Sequence, residues 1–261
     1  MKALGIAATG MLAQQTNVDV IANNIANANT TGFKSGRAAF QDLIYQNVRS
    51  AGTLTSEEGT ARPVGTDIGL GVQASGVIRH NTQGGLIQTE SQLDLAIEGR
   101  GYFVVNRPDG SQAYTRAGTF QLSAEGQIVA LNGFDIEPAI VVPDLTRQIE
   151  INQFGVVMAY VENSADPTEL GQLTLATFVN DAGLKPIGDN LLEATTASGE
   201  PVEATPGSPG IGVTRQGYLE NSNVNIIQQI TDLISAQRAY EMSSKAIETA
   251  DQIMTTTTQI K

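Results

Sequence analysis

The sequence predicts an α+β protein with a long helix at each chain end and an antiparallel β region between them. Two observations carry that expectation. Heptad rows of apolar residues are confined to the two ends, and short alternating segments broken by turn signals fill a glycine-rich middle.

In the first 29 residues Leu4, Met11, Val18 and Ile25 lie seven apart, and Ala7, Gln14, Ile21 and Ala28 follow three positions on. That spacing puts one apolar seam on one helix face, with Gln14 as the single amide within it. Lys2 and Asp19 are the only charges before Lys34. A helix facing water carries more charge than that, so this one is expected to be packed on several sides. At the other end Leu219, Ile226, Leu233, Tyr240, Ile247 and Met254 repeat every seven residues, beside a row of Ala239, Ala246, Ile253 and Ile260. Neither proline nor glycine follows Gly217, which predicts one helix from about Asn225 to about Ile260 with coiled-coil packing.

Between the helices the period changes. GYFVVNRPDGSQAYTR reads as a hairpin, with strands at 101–106 and 112–116 around a PDG turn. TFQLSAEGQIVALNGFDIEP, EINQFGVVMAYV and GQLTLATFVN read as further short strands, the spacing of an antiparallel β domain. ATPGSPGIG at 204–212 is a loop that returns the chain toward the last helix. From Gln46 to Gly69 no period is visible. That segment is either a disordered surface loop or an extended arm that orders against a neighbour.

Composition narrows the function classes. A formal net charge of −12 argues against nucleic acid or anionic lipid as the main partner. The absence of cysteine excludes disulfides and thiolate metal sites. No apolar run is long enough to span a bilayer, so no direct membrane insertion is expected. Lys2 is followed by a weak apolar stretch broken by Gly5, Thr9 and Gly10, which is a poor secretory signal. Export would therefore use a route that reads no cleaved signal.

Catalysis finds little support. His80 is the only histidine, so a serine triad would have to use it, and no GxSxG accompanies it. Glu57, Glu58, Glu90, Asp94 and Glu98 are among the 27 acidic residues that could be considered for glycosidase-type chemistry, and some pairing is expected by chance in so acidic a chain. In LDLAIEG the alternation would put Asp94 and Glu98 together on the polar face of a strand. GLG at 69–71 and GRG at 99–101 do not continue as dinucleotide-binding fingerprints. No catalytic residue, cofactor or metal is expected.

The stretch ANNIANANTTGFK at 22–34 has four asparagines and no charge until its last residue. It closely resembles the N-terminal motif of the bacterial flagellar rod and hook protein family. SNVNIIQQITDLISAQRAYEMSSKAIETADQIM at 222–254 resembles that family's C-terminal motif. The middle, including TQGGLIQTESQLDLAIEGRGYFVV and AYTRAGTFQLSAEGQIVALNGF, looks most like the distal rod members. The larger proximal rod proteins share the length and are the nearest alternative. A β-rich cell-surface binding module with coiled-coil ends is the alternative from another class.

The resemblance implies that the terminal helices pair into a core domain of residues 1–45 and 215–261. Residues 46–70 would form the arm and 71–214 the β-rich outer domain. It implies helical self-assembly into a hollow basal-body shaft in the periplasm, joined to other rod proteins and the hook protein. Ring proteins of the peptidoglycan layer and outer membrane would surround the shaft. Leu4, Met11, Val18 and Ile25 would then pack on Ile226, Leu233, Tyr240, Ile247 and Met254. Asn23, Asn24, Asn27, Thr31, Gly32 and Phe33 would form an assembly motif. Asn23 and Asn24 would bridge subunits or face the channel, Asn27 would either do so or cap the helix end, Thr31 and Gly32 would stop the helix, and Phe33 would anchor the turn. The arm would stiffen the shaft against bending. Deleting part of Ser50–Thr60 is expected to give a more bendable shaft by electron microscopy, and an unchanged straight one would refute that role.

Overall fold

A computed structural model describes residues 2–50, 64–162 and 166–259. The chain folds as two compact units. The first comprises Met1–Ala26, Gly36–Ile78 and Asn225–Lys261, and the second Asn27–Ser35 and Arg79–Val224.

In the first unit, helix α1 (Lys2–Ala26) packs along helix α2 (Ile226–Gln259). The side chains buried on these helices are Ala13, Ile21 and Asn24 from α1 and Ala236 from α2. Ala13 and Ala236 are small and let the two helix axes approach, while Ile21 supplies the one large apolar side chain buried on these helices. A Cβ added at Gly10 would lie only 3.6 Å from the Ser243 hydroxyl. Strands Gly36–Asp42 and Val72–Arg79 pair beside the helices. Strands Tyr45–Arg49 and Thr66–Gly69 pair antiparallel, with Tyr45 opposite Gly69. The arm expected over 46–70 thus has paired strands at both ends, and its middle at 51–63, with Glu57 and Glu58, lies outside the described residues.

In the second unit a nine-stranded sheet is built around Tyr102–Asn106. That strand pairs with Gln112–Thr115, Asp135–Ile136 and Leu175–Thr177. The PDG turn closes the first of these pairs, with Gly110 at φ 81° donating to the Arg107 carbonyl at 2.9 Å. Side-chain alternation sends Phe103 and Val105 into one buried cluster with Ile97, Phe120 and Leu175. Tyr102 and Val104 go into another with Tyr114 and Phe178. Both faces of the strand are therefore covered, which explains its unbroken apolar run. A three-stranded sheet of Thr146–Ile151, Val156–Val161 and Thr168–Gln172 belongs to the same unit.

The strand Leu95–Glu98 departs from the alternation expected of LDLAIEG. Leu95, Ala96 and Ile97 are all buried, so it too is covered on both faces. Asp94 is buried just before the strand, and Glu98 is exposed, paired with Arg215 at 2.7 Å. The two carboxylates do not share a polar face.

Phe103 is fully buried and meets Phe120 edge-on at 5.1 Å between ring centroids. Phe103→Ala is expected to cost about 3–5 kcal/mol, read as a lowered urea midpoint. A loss under about 1 kcal/mol would contradict this assignment of the core.

Candidate functional site

The stretch at 22–34 contributes to both units. Within the first, Asn24 near the end of α1 is buried, and its amide is fully used. Its nitrogen donates to the Gly36 carbonyl at 2.7 Å and to Gln229 Oε1 of α2 at 2.9 Å, and its oxygen accepts from Gly36 N–H at 2.9 Å. An uncharged amide suits this position because it both donates and accepts in a space closed to water. Its partners lie in its own chain. Asn23 is exposed on the last turn.

Within the second unit the chain turns and docks. Asn27 accepts at its backbone oxygen from Thr30 N–H at 3.2 Å and at Oδ1 from the Thr30 hydroxyl at 3.1 Å. This is local helix-end chemistry. Thr31 and Phe33 are half-buried, and Phe33 N–H donates to the Thr30 carbonyl at 3.3 Å. Gly32 has φ 70° and donates its N–H to the Glu220 carbonyl at 2.8 Å. A Cβ there would stand 2.7 Å from both Arg116 C and Ala117 N. The glycine is required twice, by its left-handed backbone and by close backbone approach.

Beyond the turn lies a buried ionic network. Lys34 Nζ meets Glu220 Oε1 at 2.5 Å, and Arg116 Nε meets Glu220 Oε2 at 2.5 Å. The side chains are 9 %, 7 % and 0 % exposed for Lys34, Arg116 and Glu220. Gly84 N–H adds a third hydrogen bond to Glu220, at 2.9 Å. Arg116 spends its other donors on the carbonyls of Gly101, Ile97 and Gly99. Lys34 also donates to the Thr82 carbonyl at 2.8 Å. Nearby, Asn223 accepts from Ser35 N–H at 2.7 Å and donates to the carbonyls of His80 and Thr82.

Burial by itself pushes the Glu220 carboxyl up. The Arg116 charge and the hydrogen bonds from Lys34 and Arg116 outweigh it and hold the group below the ordinary glutamate value. Burial is the largest influence on Lys34 and draws its ammonium below the ordinary lysine value, against the pull of Glu220. The arrangement performs no visible chemistry. It fastens the turn after α1 to the β unit and to the strand that leads into α2.

Of the expected helix seam, Ile21 is buried and the large residues named for packing are less so. Leu4, Met11, Val18 and Ile25 are half-buried, as are Leu233, Ile247 and Met254, whereas Ile226 and Tyr240 are exposed. Sequence reasoning missed Arg116, Glu220 and Asn223. The one available signal was Lys34, the first charge after a long neutral stretch.

Residues 4–34 match the family model described as flagella basal body rod protein, and residues 215–260 that of the flagellar basal body rod FlgEFG protein C-terminal. Residues 96–159 match the flagellar hook protein FlgE/F/G D1 domain. The chain is 53% identical over 253 residues to the flagellar basal-body rod protein FlgG of Agrobacterium fabrum strain C58, covering 97% of each. The chain belongs to the flagellar basal-body rod protein family. It is also 49% identical to the rod protein FlgG of Caulobacter vibrioides over the whole of both chains. To that of Borreliella burgdorferi strain B31 it is 45% identical, covering 97% of this chain and 96% of the relative. A rod protein is structural and not an enzyme, in keeping with a network that only fastens. Lys34, Arg116 and Glu220 fall one in each of the three family regions.

Glu220→Gln leaves two buried cations without their counter-charge and is expected to destabilise the rod protein by about 3–5 kcal/mol in urea unfolding at neutral pH. Because the folded carboxyl titrates below the unfolded value of about 4.3, its contribution is present above that range. It is lost as pH falls through the lowered folded value. The gap between wild type and Glu220→Gln should therefore shrink on acidification, and a gap independent of pH would contradict the assignment.

Proposed function

We propose that this rod protein is a structural subunit of the distal rod, many copies of which stack helically into a hollow drive shaft. The shaft transmits torque to the hook and carries the export channel. Other rod proteins and the hook protein adjoin it at its ends, and ring proteins of the peptidoglycan layer and outer membrane surround it. Subunits reach the periplasm by flagellar export without a cleaved signal.

The observation that carries this reading is α2. It runs for 34 residues, yet Ala236 is its one buried residue among those described. Ile227 is 79 % exposed and Met242 68 % exposed. Helical stability in water comes mainly from packing of an apolar face, at about 1.5–3 kcal/mol for each large side chain buried. A helix this long with so little buried supports faces completed by other copies, in a coiled-coil-like arrangement that uses the Leu4 and Leu233 rows. Leu12 on α1 and Ile44 and Tyr45 near the paired strands are exposed in the same unit. Similarity to proteins named as rod proteins over nearly their full lengths supports the same reading.

Electron microscopy of the purified full chain should show filaments with both chain ends on the inside, and a protein that stays monomeric at high concentration would count against assembly. In cells, Gly32→Val is expected to abolish motility, because valine fits neither the backbone angle nor the space against Arg116 and Ala117. Normal swimming in that mutant would contradict the turn's role.

A further inference from the structure

The second unit contains a cationic cleft that the fastening network does not fully use. It has a volume of about 230 Å³ and is lined in part by Lys34, Arg100, Tyr102, Arg116 and Asp181. The Arg79 charge acts on the Tyr102 phenol, as do those of Arg100, Arg116 and Asp181. Three cations, Lys34, Arg100 and Arg116, therefore line the cleft near the carboxylates Asp181 and Glu220, and the Arg79 charge also reaches Tyr102, in a chain whose net charge is −12.

Most donors here are already engaged. Arg116 gives four of its five N–H donors to Glu220 and three carbonyls, and Lys34 serves Glu220 and Thr82. Arg100 donates to the Phe178 carbonyl at 3.1 Å and to Asp181 at 3.3 Å. Two groups are not engaged. Half-buried Arg79 has neither an ion pair nor a side-chain hydrogen bond among the described residues, and neither has the Tyr102 hydroxyl a hydrogen bond. Tyr102 is buried, its ring held edge-on to Phe178 at 6.0 Å. Burial first, then Asp181, pushes its phenol up to about 12 against the three arginines, so it remains a neutral donor. A fixed O–H donor in a cleft lined by Lys34, Arg100 and Arg116, with the Arg79 charge acting on it as well, is complementary to a carboxylate.

We propose that this cleft is a carboxylate-binding site, occupied in the assembled protein by an acidic side chain of a second copy of the chain. The second copy follows from charge complementarity. Each chain carries 27 acidic against 15 basic residues, and the cleft admits a side chain rather than a strand or helix. The choice of occupant rests on the self-assembly reading above, whereas the site itself does not.

Sodium acetate titrated into the full-length protein at constant ionic strength, followed by amide NMR, tests the site. Saturable shifts are expected at Gly99 and Tyr102, with affinity reduced at least fivefold in Arg79→Gln and in Tyr102→Phe, which keeps the ring. No saturable shift in wild type, or equal affinity in both variants, overturns the site. Sedimentation velocity then tests the occupant. Self-association should weaken at least fivefold in Arg79→Gln and in wild type saturated with acetate. Acetate binding with unchanged association in both arms overturns the second copy as occupant and leaves a free-anion site. A wild type that does not associate at all counts against self-assembly and the second-copy occupant together, while the acetate titration still decides the site.

Discussion

The fold of the second unit turns on one carboxylate. Glu220 has no exposed side-chain surface and accepts hydrogen bonds from Lys34, Arg116 and Gly84. Desolvating three charges is costly, and an apolar cluster of the same volume would often be at least as stable. What the ionic set supplies instead is position. A guanidinium with a fixed fork, a carboxylate with two oxygens and an ammonium each accept only particular geometries. Slippage of the turn at Gly32 or of the strand Tyr218–Glu220 would strand a buried charge. Gly32 sharpens the constraint, because its backbone lies against Arg116 and Ala117 with no room for a side chain.

The two units are stabilised by different means. The β unit closes on itself, with Phe103, Val104, Val105 and Leu175 fully buried and its central strand covered on both faces. On the helices of the other unit, burial is confined to Ala13, Ile21, Ala236 and the Asn24 amide among the described residues. Their other large apolar side chains are half-buried or stand in solvent. For a rod protein this division is physically sensible. The β unit buries its own core, and the under-buried helical unit keeps the exposed apolar surface that the proposed assembly would cover.

Much of the architecture was legible in the sequence because it follows from local periodicity. A helix expected over about 225–260 is found at Ile226–Gln259, and the hairpin around PDG has its strands at Tyr102–Asn106 and Gln112–Thr115. The seven-residue rows identified the helices and included buried Ile21, but not Ala13, Asn24 or Ala236. In a single chain the most buried positions on the helices are Ala13, Ile21, Asn24 and Ala236, two of them alanines whose small size permits close approach. Alternation also misled at LDLAIEG, since a strand covered on both sides has no polar face to display. The ionic network was illegible because Lys34 and Glu220 are 186 positions apart and Arg116 and Glu220 are 104 apart. No local pattern links such residues. Their family resemblance marked the regions but not the contact.

The central claim is that the β unit is complete within one chain while the helices depend on other copies. Amide hydrogen exchange on the free monomer tests it most directly. The account predicts strong protection at Phe103, Val104 and Gly32, whose amides belong to the closed unit, with fast exchange along most of α2 that slows on assembly. Protection of α2 in the monomer equal to that of Phe103 and Val104 would contradict it.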